Sequence, residues 1–505
     1  MTYNQFQVSL GLLLIAILTP LYFVTPEGSS SLIIWSCLVI YYVFLIRALL
    51  TPVRIHPLIP TYASIEVLFL LFYLLVFFLP YQYSVLGLTN LYANKFLSHA
   101  FVMQTNQAVV AATIGLVGFC TGIRLVSFKS NTERLGLRHP SQDLIGYGGL
   151  YSTILILQSG LIALYQIAGW RSADEGRYTG SISGGVLASG VYTLIIMLCI
   201  MSIAVFINHL ARRRPIPSIV WCAFAITALW GLRILLAGDR NNFFLLAIAA
   251  GGGLMTFRFK ANLLILGAGV VAALFVYNGI EAFRMLTDKN FDALLQGMFY
   301  GERGDLASGS FSITTATLRA SVAVVPTSEP FGWGWYKLIG FSGVVPFVRG
   351  LVLSDYSGFL STSDLLTYRM IGPGAGWSVG SNVISDIFID FGIIGVAVLM
   401  TLLGLSAGGI QYIAAKDFGS VPGSIIYLVA LPLYAELPRY SLDFPVRMLA
   451  WALIILVLHR FLALMRPKVR QPLKPPLGAL GKFEIRPMPV VASSAKPLSE
   501  PKAPE

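Results

Sequence analysis

Apolar segments of about twenty residues recur along this chain and are separated by short polar connections. The segment near 31–50 contains one arginine, Arg47, and the segment near 186–210 contains none. A helix of about twenty residues spans the roughly 30 Å hydrocarbon core of a bilayer. The apolar residues are continuous and do not alternate with polar ones, which excludes a membrane β-barrel. The sequence therefore predicts an all-α polytopic membrane protein.

The order of these segments divides the chain into four regions. Residues 1–280 hold nine predicted transmembrane helices, and residues 382–465 hold three more. Residues 281–381 form a large loop of mixed polarity, and residues 466–505 form a Pro-rich basic tail that is expected to be disordered. The twelve spans are predicted near 6–24, 31–50, 63–80, 107–127, 146–168, 186–210, 218–236, 242–257, 261–280, 382–410, 421–436 and 447–465.

Composition and charge placement agree with one large helical bundle. Of the 505 residues, 56% are hydrophobic and 11% are charged, whereas soluble domains are about 25% charged. Cations follow every even-numbered span, as Arg47 and Arg54 follow the second and Arg212, Arg213 and Arg214 follow the sixth. Positively charged connections face the cytoplasm, so both termini are predicted to be cytoplasmic and the 281–381 loop to face outward. This placement accounts for the net charge of +12 without a nucleic-acid partner.

The 281–381 loop contains charged and aromatic residues that a membrane helix would not need. An aromatic cluster lies at 331–336, Arg319 lies within the apolar stretch 311–325, and Arg349 lies within 335–353. Short or irregular backbone persists at membrane depth only where protein or a wet cavity surrounds it. We therefore expect short helices that lie on, or dip into, the outer face of the bundle.

Further charged residues fall at the outward ends of predicted helices. Arg240 follows a turn at 236–242, Arg284 follows the ninth span, and Arg439 and Arg447 connect the last two spans. Guanidinium groups bind diphosphate oxygens in a bidentate manner and stay charged. The predicted diphosphate-binding or substrate-binding set is Arg240, Arg284, Arg319, Arg349, Arg439 and Arg447. For any single arginine, a contact with lipid phosphates or a neighbouring acid is an equally good interpretation.

Transfer of a sugar from a diphosphate needs no ATP, but the acceptor hydroxyl must lose a proton to a base. Only His99 of the five histidines falls on the outward side, so carboxylates are the better candidates. Asp386, one turn into the tenth span, and Asp443, between the last two spans, are the predicted catalytic residues. Helix capping or ion pairing explains either residue equally well.

Aromatic and glycine-rich segments give weaker signals. Trp333, Trp335 and Trp377 are predicted to stack on sugar rings, although an interfacial aromatic belt also explains them. The glycines at 372–380 do not match a dinucleotide-binding motif, and Ser381 or Asn382 is expected to cap the next helix. The four cysteines lack metal-ligand spacing, so neither a metal site nor a cofactor is expected.

Several short motifs between 230 and 450 together resemble Wzy-type polymerases of oligosaccharide repeat units, including the branch that makes enterobacterial common antigen. The likeness lies in their order, their spacing and their side of the membrane, while the first two hundred residues are similar only in being apolar. The motifs are Ala237-Gly-Asp-Arg240, Phe283-Arg284, Val345-Pro-Phe-Val-Arg349, the helix start from Gly376 to Gly395 that contains Asp386, and Arg439-x-x-Leu-Asp443-x-x-x-Arg447.

The resemblance implies a GT-C-like helical fold and a glycosyltransferase of the bacterial inner membrane. Such an enzyme moves a growing glycan from undecaprenyl diphosphate onto a lipid-linked repeat unit at the periplasmic face. Arg240, Arg284, Arg439 and Arg447 match the family's outward arginines, which implies diphosphate binding, whereas Asp386 stands where many relatives have Glu. The expected partners are the undecaprenyl-diphosphate-linked glycan, membrane lipid, a Wzz-like chain-length-regulating co-polymerase and a Wzx-like flippase.

Two other functions stay open at this point. A polysaccharide ligase, which attaches finished glycan to lipid A–core, would have a histidine in the 281–381 loop, where this sequence has none. A flippase or another transporter would place charges through the bundle interior, but ionisable residues are few in mid-span positions. The sequence also lacks a visible internal repeat, which disfavours transporters built from inverted halves.

Overall fold

The computed structural model describes residues 3–56, 59–89, 99–126, 147–171, 183–260, 262–285, 292, 310–345, 348 and 358–465. These residues are mainly helical, and their β-structure is limited to two isolated bridges, Val53–Thr61 and Arg171–Ser183. Met1–Arg460 form one compact unit, and Phe461–Glu505 form a second.

The described α-helices are numbered in chain order. The first five are α1 (Tyr3–Val24), α2 (Ser31–Leu50), α3 (Ile65–Tyr73), α4 (Leu79–Val85) and α5 (Thr105–Leu125), and a π-helical segment, Leu74–Phe78, joins α3 to α4. The next five are α6 (Gly148–Ile167), α7 (Gly185–Ala211), α8 (Ser218–Leu236), α9 (Arg240–Phe257) and α10 (Leu263–Met285). The last six are α11 (Ser310–Val324), α12 (Trp335–Ser342), α13 (Thr362–Met370), α14 (Val383–Lys416), α15 (Val421–Glu436) and α16 (Asp443–Met465).

The chain is a polytopic helical membrane protein, as the sequence predicts. Ten helical segments in the described part are long and apolar enough to cross a bilayer, and they fall on ten of the twelve predicted spans. Helices α9, of 18 residues, and α10, of 23 residues, occupy the remaining two predicted spans. Every predicted span therefore coincides with a helix.

Successive long helices run between two ends of the bundle. One end, here called the site end, contains the α8–α9 turn, the start of α14 and the α15–α16 connection. There the hydroxyl of Tyr192, near the start of α7, donates a hydrogen bond of 2.8 Å to Asp239 in the α8–α9 turn. At the opposite end, Asn208 near the close of α7 donates to the carbonyl of Gly419, between α14 and α15. These contacts place the start and the end of α7 at opposite ends of the bundle.

Glycines allow α5 and α14 to pack backbone against backbone. A Cβ atom added to Gly122 of α5 would lie 2.0 Å from the carbonyl oxygen of Thr401. A Cβ added to Gly404 of α14 would lie 2.0 Å from the carbonyl oxygen of Phe119. Each glycine belongs to a Gly-x-x-x-Gly repeat in its own helix. In lipid, close approach of this kind provides the dispersion contacts that hold helices together.

Helix α14 is broken near its start, and the break divides it into two segments. Gly392 has φ +64° and ψ −164°, a conformation that is open essentially to glycine alone. Before it lies the short segment 383–391, in which nearly every residue is buried, and after it lies the long segment 393–416. Asn382 caps the short segment by accepting a hydrogen bond of 2.8 Å from the Ser385 amide, which confirms one of the two predicted caps.

Part of the 281–381 loop is packed into the site end of the bundle. The Thr315 hydroxyl of α11 donates over 2.7 Å to the carbonyl of Val76 in the π-helical segment. The side-chain amide of Asn382 donates to the carbonyl of Thr314 over 2.9 Å. Helix α11 is therefore an inserted element between α4, α5 and α14, while the predicted tail at 466–505 lies outside the described residues.

Candidate functional site

The turn between α8 and α9 carries the first part of the candidate site. Gly238 takes a left-handed conformation with φ +74°, and Asp239 caps α9 by accepting a hydrogen bond of 3.3 Å from the Asn242 amide. The same carboxylate also accepts the hydrogen bond from Tyr192 of α7. Arg240, the first residue of α9, is consequently held at the site end and is only 4% exposed.

The α15–α16 connection brings a second arginine beside the first. Arg439 donates a hydrogen bond of 2.8 Å to the side-chain oxygen of Asn241. The ring of Tyr277, on α10, faces both guanidinium groups, whose Cζ atoms lie 4.4 Å (Arg240) and 5.9 Å (Arg439) from its centroid. Both distances are within the cation–π range of about 6 Å. Two guanidinium groups from distant parts of the sequence thus share one aromatic ring.

A buried acid, Glu436, lies beside these arginines at the end of α15. It is 1% exposed, and the charges of Arg439, Asp239 and Arg240 act on its carboxylate. The Tyr440 hydroxyl is close enough to act as a hydrogen-bond donor to Glu436, but neither carboxylate oxygen makes a hydrogen bond of good geometry with any described residue. The arginine cluster comprises Asp239, Arg240, Tyr277, Glu436 and Arg439.

Tyr440 lies beside Glu436 and Arg439, and its phenol group is uncharged. Burial of the phenol raises the pKa of Tyr440 well above its usual range, and the Glu436 carboxylate raises it further, whereas Arg439 opposes the shift. The ring stacks on Phe444 with 4.0 Å between the centroids. At neutral pH the phenol therefore keeps its proton and is available as a hydrogen-bond donor.

The start of α16 holds two more of the predicted residues. Arg447 contacts the hydroxyl of Thr193 at 3.4 Å, and its Cζ atom lies 5.7 Å from the ring centroid of Trp451. Thr193 follows directly after the tyrosine of α7 that binds the α8–α9 turn, so Arg447 faces the same part of α7. Asp443 is half-buried and packs against α12, where a Cβ added to Gly340 would lie 2.9 Å from its Cγ atom.

A second buried group of charges joins α12 to α14. The Nζ atom of Lys337 lies 2.7 Å from Asp386 Oδ1 and 3.2 Å from Asp390 Oδ2, and all three side chains are at most 7% exposed. Asp386 also accepts hydrogen bonds from the Thr362 hydroxyl at 2.6 Å and from the Leu442 amide at 2.7 Å. Both oxygens of Asp386 are therefore occupied by donors. Lys337, Asp386 and Asp390 form the lysine cluster.

The glycines of the 331–336 segment let the backbone approach this cluster. The Gly334 amide donates to Asp390 Oδ1 over 3.2 Å, and the Trp333 amide donates to the Asp390 carbonyl over 2.9 Å. A Cβ added to Gly332 would lie only 2.2 Å from Asp390 Oδ1. One lysine faces two carboxylates, so the Gly334 amide helps to stabilise the remaining negative charge on Asp390. The 331–336 segment, for which the sequence predicts sugar stacking, therefore also packs around the carboxylate of Asp390.

The α15–α16 connection contacts both clusters. Arg439 belongs to the arginine cluster, and three residues later the Leu442 amide binds Asp386 of the lysine cluster. A displacement of this short segment would therefore move groups in both clusters at once.

The other predicted site residues are not part of the arginine cluster or the lysine cluster as described. Arg319 of α11 is 1% exposed and faces Tyr81 of α4, so these contacts do not join it to the arginine cluster. Trp333 is 79% exposed, whereas Trp335 and Trp377 are half-buried. Arg349 lies outside the described residues. Arg284 lies in the last turn of α10, and its side chain is likewise outside the described set.

Sequence reasoning missed three buried charged residues: Glu436, Lys337 and Asp390. Each is an ionisable residue in an apolar segment, which is itself a signal of a functional or paired group. Asp390 follows Asp386 by four residues, so the two share a helix face. No local sequence pattern indicates that Lys337 pairs with Asp386 and Asp390, because these positions are about fifty residues apart.

Among the described residues, no group of three or more His, Cys, Asp and Glu is placed to hold a metal ion. Comparisons with protein-family models, with curated proteins and with solved structures find no match. The functional interpretation therefore depends on the sequence motifs and on the geometry of the two clusters.

Proposed function

We propose that this protein is a glycosyltransferase of the bacterial inner membrane. It polymerises undecaprenyl-diphosphate-linked oligosaccharide repeat units into O-antigen, exopolysaccharide or capsule chains at the periplasmic face. The observation that carries the proposal is the shared position of Arg240 and Arg439 on the ring of Tyr277. Two guanidinium groups held side by side match the paired anionic groups of a diphosphate.

In the proposed reaction, these arginines stabilise the leaving diphosphate. When the acceptor hydroxyl attacks the anomeric carbon of the donor, the undecaprenyl diphosphate leaves and gains negative charge. Fixed cations beside the leaving group stabilise that charge more in the transition state than in the ground state, which accelerates transfer. Because Arg240 is buried, its electrostatic interactions are stronger than they would be in water. The diphosphate ester supplies the driving force, so neither ATP nor a nucleotide sugar is needed.

The distribution of buried charge supports a polymerase over a transporter. Eight Asp, Glu, Lys and Arg side chains are buried in the described part of the chain, and only Glu66 lies at the opposite end of the bundle. A transport pathway would call for ionisable groups through the interior. The seven at the site end are Asp239, Arg240, Arg319, Lys337, Asp386, Asp390 and Glu436.

The proposed function also implies how the protein is oriented in the membrane and which proteins it works with. The described cations at or just beyond the ends of α2, α5, α7, α9 and α14 would face the cytoplasm by the positive-inside rule, which puts the site end at the periplasmic face. The exposed ring of Trp333 would be available to an acceptor sugar, and Trp335 and Trp377 of the 281–381 loop are the other two proposed stacking residues. A Wzz-like co-polymerase would regulate chain length, and a Wzx-like flippase would deliver the lipid-linked units.

Deletion of the gene in the source organism tests this function. The surface polysaccharide is separated on a gel before and after deletion and after complementation with the intact gene. Loss of long chains, with single-repeat material still present, is expected. An unchanged chain-length distribution, or accumulation of all lipid-linked glycan on the cytoplasmic side, would contradict the polymerase and in the second case favour a flippase.

A further inference from the structure

Glu436 is the one carboxylate of the two clusters whose oxygens are not already occupied by well-formed hydrogen bonds to described residues. It is 1% exposed, and both oxygens lack a partner of good geometry within the described ranges. Asp386, in contrast, accepts from Thr362, Lys337 and the Leu442 amide. A general base needs a lone pair that can reach the proton it accepts. By this requirement Glu436 is better suited than Asp386.

The surroundings of Glu436 place it next to the predicted diphosphate site. Titratable and charged groups from four elements face it or its direct neighbours. These groups are Arg439 and Tyr440 from the α15–α16 connection, Asp239 and Arg240 from the α8–α9 turn, Tyr277 from α10 and Tyr192 from α7. The two arginines that would hold the donor diphosphate are thus the same two whose charges act on Glu436. A base for the acceptor hydroxyl must lie close to the anomeric carbon that bears the leaving group, because attack and departure occur at that one carbon.

We infer that Glu436 is the catalytic base that takes the proton from the acceptor hydroxyl, an inference that rests on the proposed polymerase function. The acceptor oxygen forms a bond to the anomeric carbon, and the bond from that carbon to the diphosphate oxygen breaks. The diphosphate departs with the bonding electron pair, while the hydroxyl proton passes to the Glu436 carboxylate. After the proton is released to solvent, the products are the extended glycan, undecaprenyl diphosphate and one proton.

The other acids of the two clusters are committed to other contacts. Asp239 caps α9 and accepts the hydrogen bond from Tyr192, and Asp390 is held by Lys337 and the Gly334 amide. These contacts hold helix ends and loop segments in place. Neither oxygen of Glu436 caps a helix end or is held by a loop amide within the described ranges, which separates it from Asp239, Asp386 and Asp390 of the two clusters.

The test uses the full-length protein, purified and reconstituted in vesicles, with lipid-linked repeat units extracted from a strain that lacks the gene. Initial rates of chain elongation are measured between pH 5 and pH 9 for the wild type, Glu436→Gln and Glu436→Asp. The matched control is Asp364→Asn, which neutralises an exposed carboxylate of α13 at the same end of the bundle. Thermal unfolding of each purified protein shows whether it is folded.

The expected result is a loss of about 100-fold or more in Glu436→Gln, the usual contribution of a general base. The wild-type rate should fall towards low pH as the base is protonated, and Glu436→Gln should lose this dependence. Glu436→Asp should keep the dependence at a reduced rate, and Asp364→Asn should match the wild type. If Glu436→Gln is folded and keeps either the wild-type rate or the wild-type pH dependence, the inference is overturned.

Failure of the inference differs from failure of the proposed function. Elongation by the wild type with a fully active Glu436→Gln variant removes Glu436 from catalysis and leaves the polymerase intact. Absence of elongation by the folded wild type on the extracted lipid-linked units rejects the polymerase itself, and with it the role of Glu436.

Discussion

The ammonium nitrogen of Lys337 lies 2.7 Å from Oδ1 of Asp386, and both side chains are nearly completely buried. This ion pair joins α12, from the long loop between α10 and α14, to the short first segment of α14. The Leu442 amide binds the other oxygen of the same carboxylate. Asp386 therefore fixes the position of the α15–α16 connection, which carries Arg439 and directly follows Glu436, the last residue of α15.

Replacement of Lys337 with methionine should destabilise the folded protein. Removal of one partner of a buried ion pair leaves an uncompensated charge and costs about 3–5 kcal/mol, and here two carboxylates lose their cation. Thermal unfolding of the purified protein in detergent measures the change. Lys416→Met, at an exposed position near the end of α14, is the matched control and should unfold like the wild type.

The double variant Lys337→Met/Asp390→Asn checks the cause of that loss. It removes one of the two buried acids together with the lysine, so it should be more stable than Lys337→Met alone. Equal stability of the single and double variants would show that the lysine acts through packing and not through the charge of Asp390.

Arg240→Gln and Arg439→Gln should each reduce polymer formation. A hydrogen bond to a charged group contributes about 1.5–3 kcal/mol, which corresponds to roughly 10-fold to 150-fold in rate. The chain-length distribution of surface glycan is compared at equal protein levels in the membrane. Arg171→Gln, which changes an exposed arginine between α6 and α7, serves as the control. Normal chains from both cluster variants would remove these arginines from the site.

Alanine substitutions at two glycines of α14 distinguish the effect of close helix packing from the effect of helix propensity. Gly404→Ala places a Cβ 2.0 Å from a backbone carbonyl of α5, so the helices must move apart, and overpacking of this kind costs about 1–3 kcal/mol. Gly409→Ala has open space around its Cβ and should leave stability unchanged or raise it by up to about 1 kcal/mol. Similar unfolding temperatures for the two variants would argue against the tight α5–α14 contact.

Gly392→Ala should disturb the site from a distance. The glycine takes a conformation in which an L side chain is strained by roughly 1–3 kcal/mol, and a Cβ there would lie 3.1 Å from the Phe331 ring. The strain should shift the segment that carries Asp386 and so lower both the unfolding temperature and the elongation rate. Gly160→Ala, with no atom near its added Cβ, should change neither, and a normal Gly392→Ala protein would contradict the importance of the break.

The membrane fold could be predicted from the sequence because apolar length alone determines where a span lies. Predicted bounds at 31–50, 218–236 and 421–436 coincide with α2, α8 and α15. The placement of Arg240 and Arg439 at one end of the bundle follows from the same alternation. The twelve-span topology needed no knowledge of side-chain contacts.

The lysine cluster could not be predicted, because its contacts join distant segments. Lys337 sits in a short loop helix, and no sequence period indicates which surface of that helix meets α14. The break at Gly392 was equally hidden, since a glycine inside an apolar helix is compatible with a straight span. The sequence favours Asp386 as a base because of its position, whereas the structure gives it three donors. Glu436 stands out less in the sequence because it ends an apolar span.

The most direct test of the central claim is a count of products in vesicles that contain only the purified protein and lipid-linked repeat units. Glycan elongation and free undecaprenyl diphosphate are measured together, without ATP or nucleotide sugar. The proposed polymerase predicts one undecaprenyl diphosphate released for each repeat unit joined, with both signals lost in Arg240→Gln. Movement of intact lipid-linked units across the bilayer without elongation or diphosphate release would contradict the account.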